Sequence, residues 1–165
     1  KPEDVARSKQ VLEKLTACTI YGYRQPRMFP VSESEIARQG YLYNSSLNPA
    51  FIPGRYMHLT EPRTCFMKEG VLQIPASVTP WLRFPLYRWL CRRTLRHDGY
   101  FVTYFHPWEF YPLGEHPELK MPFIIRNHSG KGMEKRLNDL ICYFKSTGEK
   151  FVTYSEFARE KRQNL

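Results

Sequence analysis

The sequence predicts an α/β fold of mainly parallel strands with one hairpin, and three observations carry that expectation. Helix-like and strand-like patterns alternate along most of the chain, which favours parallel βαβ units. A length of 165 residues with 42% hydrophobic and 15% aromatic residues suits one domain with a filled core, spanning residues 1–165. A complete (β/α) barrel needs ~250 residues. The five or six strands expected here therefore imply an open sheet or an incomplete barrel, and opening on a helix with no preceding strand fits the incomplete barrel.

Taken in order, Pro2 to Thr16 reads as a helix. Proline stands at a first helical position, Glu3 and Asp4 suit the amino-terminal dipole, and Val5, Val11, Leu12 and Leu15 share a face. Cys18 to Tyr23 reads as a strand ending in Arg24-Gln25-Pro26-Arg27. Ser32-Glu33-Ser34-Glu35 is a capping box for a short helix that Gly40 stops. Tyr41-Leu42-Tyr43 is a brief strand, and Asn44 to Thr60 reads as a loop with turn signals at Asn48-Pro49 and Pro53-Gly54.

Thr64 to Met67 and Val71 to Ile74 flank Lys68-Glu69-Gly70 as a hairpin. A helix follows from about Pro85 to His97, carrying Arg88, Arg92 and Arg96 at four-residue spacing among Trp81, Phe84, Leu86, Trp89 and Leu90. That face is either a solvated basic surface or an interfacial helix near anionic lipid. Tyr100 to Phe105 reads as a buried strand after the Asp98-Gly99 turn, and Tyr111 to Asn127 as proline-broken loop. Met133, Leu137, Leu140, Ile141 and Phe144 mark a helix ending at Gly148. Lys150 to Val152 reads as a strand, and the capping box Thr153-Tyr154-Ser155-Glu156 opens a terminal helix through Phe157 and Ala158.

The net charge of +9 points toward anionic partners such as nucleic acid, membrane headgroups or acidic glycans. Nucleic acid is the weakest of these, because no recognised module accompanies the charge. No apolar run approaches the ~18 residues a membrane span needs. No signal peptide is visible, and the chain opens on Lys1 rather than Met, as though something precedes it. The expected location is cytoplasmic or membrane-associated. Cys18, Cys65, Cys91 and Cys142 are widely spaced with no Cys-x-x-Cys pair, which argues against thiolate metal binding and for buried free thiols.

Chemistry concentrates at Tyr104-Phe105-His106-Pro107-Trp108-Glu109-Phe110. There an apolar run stops at an ionisable side chain followed by a proline that cannot donate to a ladder, placing His106 at a strand's carboxyl end. In parallel α/β folds that edge gathers ligands and catalytic groups. The alternative is a histidine capping the core edge beside Trp108, satisfied by a backbone carbonyl.

With Tyr23-Arg24-Gln25-Pro26, Tyr43-Asn44-Ser45-Ser46-Leu47, Ile74-Pro75-Ala76-Ser77 and Phe105-His106-Pro107-Trp108-Glu109-Phe110 in that order, the sequence resembles the polysaccharide deacetylase family, over about Ile20 to Phe157. The nearest subgroup is bacterial and associated with exopolysaccharide and surface-glycan synthesis. The resemblance implies a distorted (β/α) barrel that removes N-acetyl groups from glycans with a divalent metal, usually zinc, held by one aspartate and two histidines. The motifs supplying those ligands, an Asp-Asp pair and a His-x-x-x-His pair, are absent, so the chain looks like the carboxyl-terminal two-thirds of such an enzyme.

By resemblance Arg24 matches the arginine that orients the catalytic aspartate, and His106 the general acid that protonates the departing amine. Tyr104 stands where the family has leucine in the pocket for the acetyl methyl. No match to the family's aspartate that tunes the histidine is found, and the neighbours that could substitute are Glu109 and Trp108. The implied partner is an N-acetylated glycan, free or lipid-linked, bound with Trp108 and Tyr104. Without a metal ligand set, these 165 residues alone are expected not to hydrolyse it. The alternative is a non-catalytic glycan- or membrane-surface-binding relative using Trp108, Tyr111 and the basic helix. A half-barrel also exposes a sheet edge, which favours a homo-oligomer or a partner.

Overall fold

The computed structural model describes residues 2–26, 31–49, 51–52, 56–57, 60–78, 82–127 and 129–164. Lys1, Arg27, Pro53, Gly54 and Trp81, named in reading the sequence, lie outside them. The chain is α/β and divides into two compact units, residues 1–77 with 152–165, and residues 78–151.

The first unit opens on helix α1 (Pro2–Thr16), at the bounds the sequence predicts. Val5 is buried, but Val11, Leu12 and Leu15 are exposed, so the helix buries a narrower stripe than its spacing implied. Strand β1 covers only Gly22–Tyr23, whereas a strand from Cys18 was expected. Cys18 and Thr19 are exposed, and β-propensity without burial makes no strand. Helix α2 (Glu33–Arg38) is capped by Ser32, whose hydroxyl accepts from the Glu35 amide at 3.4 Å. The return half of that box does not form, because the Glu35 carboxylate is taken by Arg38 and Gln39.

Strand β2 (Tyr43–Asn44) pairs in parallel with β1, and β6 (Val71–Gln73) in parallel with β2. Between them, Phe51–Ile52 (β3) and Tyr56–Met57 (β4) form an antiparallel pair inside the segment expected as loop. The hairpin of β5 (Phe66–Lys68) and β6 is as expected, and the sheet order is β1-β2-β6-β5. Glu69 and Gly70 both have positive φ, 48° and 78°, the two-residue turn whose twist matches a hairpin. The core of this unit gathers Val5, Ile36, Tyr41 and Val71, with Ile20, Tyr23 and Val31 against it.

The second unit is built on α3 (Phe84–Asp98), a four-residue α4 (Phe123–Arg126) and α5 (Lys131–Ser146). Tyr87 and Cys91 of α3 meet Leu140 and Phe144 of α5 in its core, joined by Phe101 and Phe105. Tyr100 to Phe105 is therefore apolar for a reason other than a ladder. It is not the expected strand but an irregular stretch, half-buried between helices and joined to Val78 by one backbone bond of 3.4 Å. A 3-10 turn covers Pro107–Phe110, and two more at Leu113–Glu115 and Pro117–Leu119 occupy part of the expected loop.

Lys150 to Val152 forms no strand, and Phe151 and Val152 are exposed. Back in the first unit, α6 (Tyr154–Asn164) runs further than its apolar residues indicated. Its capping box is reciprocal: the Thr153 amide donates to Glu156 Oε2 at 2.7 Å, and the Glu156 amide donates to Thr153 Oγ1 at 3.2 Å. Of the cysteines, Cys91 is buried as expected, while Cys18 and Cys142 are exposed. No helix among the described residues is long and apolar enough to cross a membrane.

Candidate functional site

His106 sits not at a strand end but one residue before a 3-10 turn, and this local geometry makes the site. Pro107 supplies a preset φ at the first turn position, and the Glu109 amide donates to the His106 carbonyl at 3.0 Å. Three residues per turn bring the side chains of residues i and i+3 onto one line. Glu109 accordingly folds back under His106, its Oε1 lying 2.8 Å from His106 Nδ1.

Two aromatic rings hold the imidazole on its other sides. Trp108 stacks on it at 5.1 Å and 27°, and Tyr104 meets it edge-on at 5.4 Å and 83°. Tyr104 is two residues upstream in an extended segment, so both side chains leave the same side of the backbone. The four residues singled out in the motif thus form one cluster, with the His106 side chain 40% exposed and the Glu109 side chain 3% exposed. A carboxylate on Nδ1 fixes the ring's tautomer and leaves Nε2 as the working nitrogen.

The turn is braced from α5. The Gly130 amide donates to the Glu109 carbonyl at 2.8 Å. Gly130 has φ 65°, and a Cβ there would lie 3.0 Å from Pro112 Cα, so the approach requires glycine. Arg136 of α5 is also buried, under the Phe84 ring at 5.9 Å. Burial pulls its guanidinium below the usual range, while electrostatic interaction with Tyr87 and Glu109 opposes that. Arg136 is the buried charged neighbour that the apolar periodicity of α5 hid. It lies three residues after Met133 and four before Leu140, a cation on the buried stripe, and that misplacement was its signal.

Arg24 belongs to the first unit, whereas His106, Trp108 and Tyr104 belong to the second. Arg24 follows β1, and Ser45 and Ser46 follow β2, at the carboxyl edge of the parallel strands. Its Nη2 donates to Ser45 Oγ at 2.5 Å and Tyr154 Oη at 3.3 Å, and Tyr154 stacks on Tyr43 at 5.7 Å. Asn44 Oδ1 accepts from the Ser46 amide at 3.0 Å, and its Nδ2 donates to Gln73 and Glu33, which gives that residue a structural role. A cavity of about 560 Å³ opens beside Arg24, walled by Tyr23, Gln25, Tyr41 and Asp4. Burial raises the phenols of Tyr23 and Tyr41 above their ordinary value.

Among the described residues no group of three histidines, cysteines, aspartates or glutamates converges as metal ligands. The residues present do not fit the divalent metal that the resemblance implies, and no chemical step is derived through one. The chain matches no family model, and no curated protein or solved structure resembles it at a significant level.

Proposed function

We propose that the chain is the acid-donating part of a glycan N-deacetylase, a hydrolase of acetamido groups on a bacterial surface glycan with the distorted (β/α) barrel of the polysaccharide deacetylases. The observation that carries this reading is the contact of His106 Nδ1 with Glu109 Oε1 at 2.8 Å between the rings of Tyr104 and Trp108. When an acetamide is hydrolysed, water adds to the carbonyl, the C–N bond breaks and the nitrogen leaves with a proton. An imidazolium held at Nδ1 by a buried carboxylate donates that proton from Nε2, and Glu109 stabilises the charge before transfer. Glu109 takes the place of the aspartate that the sequence lacks.

Trp108, 36% exposed, offers an aromatic face to a sugar ring. Arg24 presents a guanidinium that can grip the carboxylate of a general base. That base and the metal ligands come from outside these 165 residues. A second reading, glycan binding without hydrolysis, draws on the exposure of Trp108 together with Tyr111 at 48%.

Acetate release from an N-acetylated oligosaccharide, measured with metal content on the complete gene product, tests the proposal. Metal-dependent release that His106→Ala reduces by roughly 10²–10⁴-fold supports it. A metal-loaded protein that binds the oligosaccharide without releasing acetate favours the second reading and overturns the first.

A further inference from the structure

We propose that α3 is a docking surface for an anionic lipid membrane, an inference independent of whether His106 donates a proton. Tyr87, Cys91 and Thr94 are the buried positions of α3. At the 3.6-residue period, the line opposite them carries Pro85, Trp89, Arg92 and Arg96, with Arg88 and Arg93 on its flanks, and all six are exposed. The helix holds four arginines against one acid, Asp98, and Asp98 is already engaged by His97 Nδ1 at 2.6 Å.

Charge alone would serve any polyanion, and the apolar residues select the lipid. Trp89 is 54% exposed and Leu86 47% exposed, both among the guanidinium groups rather than beside them. A solvated basic face gains nothing from an exposed indole, and a nucleic-acid surface has no apolar layer to receive Leu86. At a bilayer surface the indole and leucine enter the headgroup boundary while the arginines meet phosphates. The guanidinium groups are also pre-set on rings, Arg93 over Trp89 at 5.7 Å and Arg88 over Tyr143 at 5.0 Å. That stacking reduces the ordering needed on contact and leaves the fork edges for phosphate oxygens. The inner side of the same helix holds the segment leading to His106, since Tyr87 Oη lies 2.6 Å from Thr103 Oγ1. Docking through α3 therefore places the unit that carries His106 against the membrane surface.

Sedimentation of the 165-residue chain with vesicles of equal parts phosphatidylcholine and phosphatidylglycerol, against phosphatidylcholine alone, tests the proposal. The expected result is binding to the anionic vesicles only, with a blue shift in tryptophan emission that Trp89→Phe reduces. Arg92→Glu with Arg96→Glu weakens binding by roughly 20-fold or more, taking about fivefold for each arginine lost. Arg92→Lys with Arg96→Lys retains it, which separates charge from misfolding. Trp89→Ser weakens it without changing the charge. Absent vesicle binding, binding unaffected by the glutamate pair, or binding to duplex DNA that needs the arginines but not Trp89 would each overturn it.

Discussion

Removing the buried carboxylate beneath His106 should destabilise the second unit by an amount the structure sets. Glu109 and Arg136 are 2% and 6% exposed, and Glu109 is among the groups that act electrostatically on the Arg136 guanidinium. Replacing Glu109 with leucine leaves the guanidinium buried with one compensating charge fewer and leaves His106 without its acceptor. Leaving a buried polar group without the partner it had costs about 1–3 kcal/mol. At about 2–4 °C per kcal/mol for a chain of this size, that is a fall of roughly 2–12 °C in Tm. Glu109→Gln, which keeps the volume and an acceptor for Nδ1, should cost less than Glu109→Leu. The double substitution Glu109→Leu with Arg136→Leu should recover part of the loss, because neither charge is then stranded. Scanning calorimetry on the four proteins reads all of this. A Glu109→Leu variant melting within about 2 °C of the parent, with no recovery in the double variant, would refute the reasoning.

Two further expectations concern the cores. A Cβ on Gly22 would lie 2.0 Å from the Tyr43 ring, so Gly22→Ala must push that ring off its 5.7 Å stack on Tyr154. A loss of about 1–3 kcal/mol in urea unfolding is expected, and an unchanged midpoint would contradict the packing. Burial pushes the Cys91 thiol from its ordinary 9.0 up to about 12. A disulfide-forming reagent at mildly alkaline pH should therefore label exposed Cys18 and Cys142 in the native protein and reach Cys91 only on unfolding. The folded thiol holds its proton more tightly than the unfolded one. Its contribution to stability is accordingly complete below pH 9.0 and falls as pH rises toward about 12. The slope is at most about 1.4 kcal/mol per pH unit, and Tyr87, also raised by burial, adds a loss of the same sign. Cys91→Ala should flatten that alkaline slope in a stability series.

The helices were legible because their ends are written locally. Pro2 opens α1, Thr153 and Glu156 satisfy each other at the start of α6, and Gly99 and Gly148 stop α3 and α5 at φ 76° and 80°. The hairpin was legible for the same reason, through Glu69-Gly70. The remaining strands were legible only in part, at Gly22–Tyr23 and Tyr43–Asn44, because a strand needs a partner that no local pattern names. The aromatic run Tyr100 to Phe105 has every compositional mark of a ladder, yet Phe101 and Phe105 go to the helix core instead. Cys18-Thr19 and Lys150 to Val152 failed similarly, where β-favouring residues face solvent.

At the site, His106, Trp108 and Tyr104 were readable from one motif because they are neighbours in sequence, and Glu109 was reachable as the residue one 3-10 turn on. Arg136 was not, since it is 30 residues away from His106 by number and enters from α5. The Arg24 network was half-readable. The Tyr-Asn-Ser-Ser run pointed to it, but Tyr154 joins from the opposite end of the chain.

The measurement that tests the central claim most directly is the tautomer of His106, read by long-range nitrogen–proton NMR correlation at a pH where the ring is neutral. If Glu109 holds Nδ1 at 2.8 Å, the proton resides on Nδ1, Nε2 carries the lone pair, and Glu109→Leu releases that preference. A parent protein with its proton on Nε2, or a tautomer unchanged by Glu109→Leu, would contradict the assignment of Glu109 as the residue that prepares His106 to donate a proton.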